Sequence, residues 1–212
     1  MALVTISAAY GALGGEVGRK LAERLGVPFL DRMIPIEVAR KLAVPLEEAE
    51  TLDASPATLL ERLLGSFMQV GGLFGATLGP IADAPDEATF RKATEEIIRQ
   101  YAAEGSGVIL GRAGMLVLAD DPRVLRVRLS GPREARIEQA MDGHDLSREE
   151  AERQARESDG VREAWVQRFY GRDVKDPSLY DLVIDATRFG ADACVELIAQ
   201  AVAAQARGRE RG

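Results

Sequence analysis

Cysteine and histidine are nearly absent: the 212 residues include one of each, Cys194 and His144. A lone cysteine excludes a disulfide within the chain and fits a reducing, cytoplasmic compartment. One cysteine and one histidine also exclude a Cys/His metal cluster. A Ser-His-Asp triad would have to use His144, which sits in Asp142-Gly143-His144-Asp145 and reads as a polar turn. A basic excess is missing as well. Lys and Arg number 27 against 34 Asp and Glu, a net charge of −7, which argues against general nucleic-acid binding. Arg207, Arg209 and Arg211 form the basic run, and residues 207–212 read as a disordered, solvated tail. No Lys or Arg precedes the apolar N-terminal stretch, so it reads as a buried strand and not a signal peptide. Leu63 to Ala82 carries no charge and has Gly71, Gly75 and Gly79 at GxxxG spacing. Its five glycines, proline and glutamine, with no flanking basic cluster, argue against a membrane span.

Apolar residues make up 46% of the chain, a globular value. A chain of this length buries roughly 70% of its unfolded surface, so no metal or disulfide is needed to hold it. Leu3 to Ser7 is a short β-rich run, then a glycine turn, then a helix with Val17, Leu21, Ala22 and Leu25 on one face and Gly26 as its stop. Val27 to Leu30 is a second strand that ends at Asp31, so the chain opens β-turn-α-β. Short helices follow over residues 33–50. Pro56 opens a helix whose Leu59, Leu60, Leu63, Leu64, Phe67 and Met68 are apolar on more than one face, which predicts burial or a homodimer contact. Helix resumes from Glu87 to Glu104. Strands are expected at Gly107–Leu110, at Val124–Leu129 with Arg126 and Arg128 pointing outward, and at Asp181–Ile184. Between the last two, helices run from Pro132 to Met141, from the capping box Ser147–Glu150, and again around Val161, Trp165 and Phe169. Ala191 to Ala204 closes the chain. The pattern predicts an α/β fold, a five-stranded parallel sheet with helices on both faces.

Three places can carry chemistry. Gly11 to Gly18, at a strand-to-helix turn, can aim backbone amides and a helix N-terminus at an anion. A full phosphate-gripping turn also needs Lys and then Ser or Thr, but Gly14, Gly15 and Glu16 stand there. Glu16 in the first helical turn would repel a phosphate. Gly111-Arg112-Ala113-Gly114 lies at a strand's C-terminal end, where an arginine can fork onto a phosphate or close a salt bridge. Residues 133–172 are rich in arginine and glutamate. Most of these charges read as solvated helix faces, while Asp159 and Arg162, three apart, share one face and can read a base or a phosphate, or simply pair.

The order Val4-Thr5-Ile6-Ser7, Tyr10-Gly11 and Gly14-Gly15-Glu16-Val17-Gly18 resembles the start of the cytidylate-kinase-like family. So do Pro28-Phe29-Leu30-Asp31, Val108 to Arg112, Asp159 with Arg162, and Tyr180 to Ile184. The resemblance covers most of the chain and is weakest from Thr51 to Pro85. It implies a single P-loop kinase-like domain over 1–206, with an insert at about 51–85 and a lid at about 133–172. It also implies ATP with Mg2+, and CMP or a similar pyrimidine nucleotide as acceptor. By position it places Gly11, Gly14 and Gly15 at the donor phosphates, and Tyr10, Ala12, Glu16 and Asp31 among the residues lining the nucleotide site. Arg112 goes to the acceptor phosphate, Asp159 and Arg162 to the acceptor nucleotide, and Arg153 and Arg156 to the lid as catalytic arginines. True cytidylate kinases have Lys where Gly14 stands, an acid at Leu110 and Asp at Ala113. The family usually has Arg-Glu at Ala8 and Ala9. These departures keep a second reading open, a nucleotide sensor or scaffold without catalysis. A third is a dinucleotide binder with Asp31 on a ribose hydroxyl, although the glycines do not fit G-x-G-x-x-G.

Overall fold

The computed structural model describes residues 2–31, 87–144 and 146–209. The helices expected over 33–50, the helix after Pro56, the uncharged stretch from Leu63 and the insert at 51–85 lie outside the described residues. The chain divides into two compact units, residues 1–31 with 98–212, and residues 32–97. The first holds the sheet.

The described elements run β1 (Leu3–Ala8), α1 (Gly14–Leu25), β2 (Phe29–Leu30), α2 (Glu87–Ala103), β3 (Gly107–Leu110) and α3 (Gly114–Val117). Then come β4 (Val124–Ser130), α4 (Arg133–His144), α5 (Arg148–Tyr170), a 3-10 turn (Pro177–Leu179), β5 (Leu182–Asp185) and α6 (Ala186–Arg209). The strands form one five-stranded sheet in the order β2-β3-β1-β4-β5, with every pairing parallel. The first strand is therefore central, and the turn that follows it opens in the middle of the sheet's C-terminal edge, where ligands of such sheets sit.

Alternation along the strands sorts side chains to two faces. Val4, Ile6, Val127 and Leu129 form one continuous core with Val17 and Leu21 of α1 and Cys194, Val195 and Ile198 of α6. Ion pairs Lys20–Asp192 and Arg24–Glu196 edge the α1–α6 contact at 2.8 and 2.7 Å. The other face is apolar at its N-terminal end, with buried Leu3, Ile109 and Val124, and polar toward its C-terminal end: Thr5 stands beside Arg126, and Ser7 beside Arg128, which in turn neighbours Val183. Arg128 thus does not point out into solvent as predicted. It is buried, because α5 and the segment after it fold over this face.

Other boundaries differ for local reasons. One 23-residue helix, α5, replaces the two expected between Ser147 and Phe169, since Gly160 alone does not break it. The N-cap half of the capping box forms, with Ser147 Oγ accepting from the Glu150 amide at 3.2 Å, while the Glu150 carboxylate accepts from Arg153 and Gln154; Gly171 closes the helix in the left-handed conformation. His144 is the last residue of α4, not part of a turn. The last helix starts directly after β5, kinks at Gly190 and continues through Arg207 to Arg209. The predicted tail is helical to that point because the alanine-rich stretch before it contains no strong breaker. Among the described residues, no helix is long and apolar enough to cross a membrane.

Candidate nucleotide site

The glycine turn after β1 is built for close packing. Gly11 has φ +73°, and a Cβ there would lie 2.1 Å from the Arg136 carbonyl oxygen of α4. At Gly14 a Cβ would meet the Ala8 Cβ at 2.5 Å, and at Gly18 it would enter the Phe29 ring at 2.6 Å. Gly15 alone of these four faces open space. So three of the glycines serve the fold, and the position where a lysine would stand has no room for one while Ala8 is its neighbour. Leu13, the residue that starts α1, has φ 58°, a left-handed conformation that is costly for a branched side chain. The first amides of α1, at Gly14 to Glu16, have no intrahelical acceptor, as at any helix start. Glu16 does not oppose an anion with a bare charge, since Lys20 Nζ lies 2.8 Å from its carboxylate.

One carboxylate ties this turn to the distal helices. Asp159 of α5 accepts from the Tyr10 amide at 2.8 Å and from Arg136 Nη1 at 2.9 Å, with Arg162 Nη1 at 3.4 Å. Arg136 also donates to the carbonyls of Tyr10 (2.6 Å) and Gly131 (3.1 Å), and Gln139 Nε2 donates to the Gly11 carbonyl at 2.8 Å. The Tyr10 hydroxyl reaches Gln154 at 2.7 Å; burial first, then Glu150, raises its pKa. Ala12 is fully buried beneath the turn, its amide held by the Ala9 carbonyl at 3.1 Å.

Beside the turn lies a cleft of about 370 Å³, between the ends of β1 and β4, β5, α5 and the segment after α5. Its charged lining is Arg128, Arg136, Arg162 and Lys175 against Asp159 and Glu163, a local positive excess on an acidic chain. Arg128 Nη1 donates to Ser7 Oγ at 3.1 Å, and its guanidinium lies 5.7 Å from the Tyr180 ring centroid. Arg162 stands in the cleft wall with 45% of its side chain still open at the mouth. Surrounding protein atoms, and then the like charges of Arg128 and Arg136, lower its pKa against the pull of Asp159.

The structure brings Tyr10, Asp159 and Arg162 together; Gly11, Gly14, Gly15 and Glu16 flank them in the same turn. Arg112 is elsewhere, at the end of β3. Its Nη1 donates to the Leu110 carbonyl at 2.9 Å and lies 3.4 Å from Asp31, so those two residues meet each other. Gly111, Arg112 and Ala113 are all left-handed, at φ 76°, 53° and 52°, a strained turn for two residues with side chains. Arg153 and Arg156 do not reach the cleft. Arg153 is held by Glu150 and Glu157 at 2.6 and 2.9 Å on an exposed face of α5, and Arg156 lies 3.9 Å from Glu152. The sequence reading missed Arg128 and Ser7, and assigned Arg136 to a lid instead of to the floor of the turn. Gly11 was the available signal for Arg136, since a glycine at such a turn marks a close backbone approach.

Among the described residues, no group of three Asp, Glu, His or Cys converges. Of the carboxylates at the turn, Asp159 is engaged by Arg136 and Glu16 by Lys20, while Asp31 lies 3.4 Å from Arg112.

A parallel sheet in this strand order, with a glycine turn after its central strand, is the fold of P-loop kinases. The chain belongs to the cytidylate kinase-like family, whose model matches residues 3–188. A cytidylate kinase of Methanopyrus kandleri is 30% identical over 112 residues, covering 49% of this chain and 58% of that enzyme. The match therefore spans little more than half of that relative's length. In structure, an uncharacterized protein of Eubacterium ventriosum superposes with a TM-score of 0.67 at 17% identity, covering 95% of this chain and 98% of the other. A protein of Thermus thermophilus does so at 0.50 and 17%, covering 96% and 97%. At that identity the likeness shows the fold alone.

Proposed function

We propose that this protein is a nucleoside monophosphate kinase that transfers the γ-phosphoryl group of ATP to a pyrimidine nucleotide such as CMP. The observation that carries this reading is Asp159. It joins the glycine turn to a cation-lined cleft, so a donor on the turn and an acceptor in the cleft would be held side by side. In the reaction, an oxygen of the acceptor phosphate attacks the γ-phosphorus and ADP leaves. The protein's task is positioning and charge neutralisation. The amides of Gly14, Gly15 and Glu16 meet the donor phosphates, and Asp159 and Arg162 orient the acceptor. Arg112 joins only after giving up its 3.4 Å pair with Asp31. Arg153 and Arg156 act as lid residues once they swing away from their glutamates. Magnesium bound to the donor's phosphates would supply further charge neutralisation. We place the protein in the cytoplasm, as a homodimer joined through the helix after Pro56; a clean monomer in gel filtration removes that last element.

A second reading, a nucleotide sensor without catalysis, is favoured by the packing of Gly14 against Ala8, which excludes a lysine. Titration of CMP and ATP alongside a phosphoryl-transfer assay separates the two. Tight CMP binding with CDP formation, both lost in Arg162→Ala, supports the kinase. Binding without CDP formation supports the sensor, and absence of all nucleotide binding rejects both.

A further inference from the structure

The three arginines of the cleft are not equivalent. Arg136 is committed to two carbonyls and to Asp159. Arg162 shares the same carboxylate, and Lys175 is paired with Glu163 at 2.5 Å. Both carboxylates of the lining are thereby used. Arg128 has no carboxylate partner among the described residues; it has the Ser7 hydroxyl and the face of Tyr180. Yet only 8% of it is exposed. A guanidinium carries five N–H donors, of which one is spent here on a neutral oxygen. None of its other nitrogens is among the sealed, partnerless polar atoms, so they are not shut off from solvent, and the residue lines the cleft. A buried cation without a counter-charge costs stability, and proteins keep one where an anion is to be received. We propose that Arg128 is the phosphate receptor of this cleft, binding the phosphate group of a nucleoside monophosphate while Arg136 and Arg162 flank it.

This role for Arg128 rests on the kinase reading for its nucleotide but needs no phosphoryl transfer. It departs from the resemblance, which gives the acceptor phosphate to Arg112, a residue turned toward Leu110 and Asp31 on the far side of β1. The cleft's volume, about 370 Å³, exceeds what a bare phosphate fills and leaves room for a sugar and base. The two surplus positive charges of its lining match a phosphate dianion.

The test uses the full chain, with inorganic phosphate, CMP and cytidine as probes, by calorimetric titration and thermal unfolding. Arg128→Met is expected to weaken phosphate and CMP at least ~10-fold and to leave cytidine unchanged. Without phosphate it should melt higher than the wild type, and it should lose the rise in melting temperature that phosphate gives the wild type. Arg128→Lys, which keeps charge but not the fork, should fall between them and serves if the Met variant does not fold. Arg112→Met should lose less than Arg128→Met. Arg207→Gln, on the exposed end of α6 near the opposite end of β4, should bind phosphate as the wild type does. If Arg128→Met and Arg128→Lys keep full phosphate affinity, or Arg112→Met loses more, the assignment fails. Phosphate binding through Arg128 with no CDP formed would keep it and sink the kinase reading. CDP formation with an unchanged KM for CMP in Arg128→Met would do the reverse.

Discussion

On one face of the sheet Val4, Ile6, Val127 and Leu129 are sealed under α1 and α6, with at most 1% of any of them exposed. One residue along the same strands, Thr5, Ser7, Arg126 and Arg128 form rows on the other face, and Arg128 ends in a cleft. The first face is held by burial of apolar surface, which is non-directional and tolerant of where a ligand sits. The C-terminal half of the second depends on directed contacts as well: Ser7 with Arg128, Arg126 with Asp181, and Asp159 with Tyr10, Arg136 and Arg162. The first face is therefore committed to packing throughout, whereas the second packs at its N-terminal end and opens into a polar cleft at the other. The glycine turn lies at their common end, docked to the polar side through Gly11 and to the sheet through Gly14.

That division predicts how substitutions behave. The largest loss should come from Leu129→Ala, which empties a fully buried position. It should cost ~2–5 kcal/mol in denaturant unfolding while leaving CMP affinity in the folded protein nearly unchanged. Asp159→Ala should cost ~1–3 kcal/mol, because it strands the Tyr10 amide and Arg136, and unlike Leu129→Ala it should also abolish measurable CMP binding. An Asp159→Ala variant that binds CMP normally, or a Leu129→Ala variant that folds but loses CMP, would blur the two faces. Gly14→Lys should not create activity; it should destabilise by ~1–3 kcal/mol through overlap with Ala8. The double variant Ala8→Gly with Gly14→Lys should recover most of that loss, and failure to recover it would show that Ala8 is not the obstacle.

The smallest effect concerns Asp181. Burial acts to raise its pKa, but the forked contact from Arg126 (2.7 and 3.1 Å) and the Arg126 amide (2.8 Å) outweigh it, so the carboxyl titrates below its ordinary range. A depressed folded pKa adds stability above the unfolded value near ~3.9, and that stability is lost as pH falls through the folded value. The melting-temperature gap between wild type and Asp181→Asn should hold steady between about pH 7 and 5 and narrow below about pH 4. A gap that widens on acidification would contradict this.

Much of the fold is legible in the residues. The opening β-turn-α-β, the strand at Gly107, the capping box at Ser147 and the resemblance carried by Tyr10-Gly11 and Asp159 with Arg162 are local signals, and local rules read them. Arg128 was not legible. Alternation along β4 marks it as facing away from the apolar core, but it cannot say that α5, twenty residues and more downstream, closes over it. Arg136 was misread for the same reason: its helix looks like a charged surface until Gly11 is seen pressed against it. The glycines themselves suggested phosphate, whereas contacts explain three of the four, and only Gly15 is left open.

The central claim is that the polar face, at the ends of β1 and β4, receives the nucleotide. Backbone amide chemical shifts of the labelled full chain, recorded while CMP is added, test it most directly. Saturable shifts are expected at Tyr10, Ser130, Gly131, Asp159 and Arg162, with Val17, Leu21 and Ile198 on the apolar face unmoved. Shifts confined to α1 and α6, or to the Arg112 turn with Ser130, Asp159 and Arg162 silent, would contradict it.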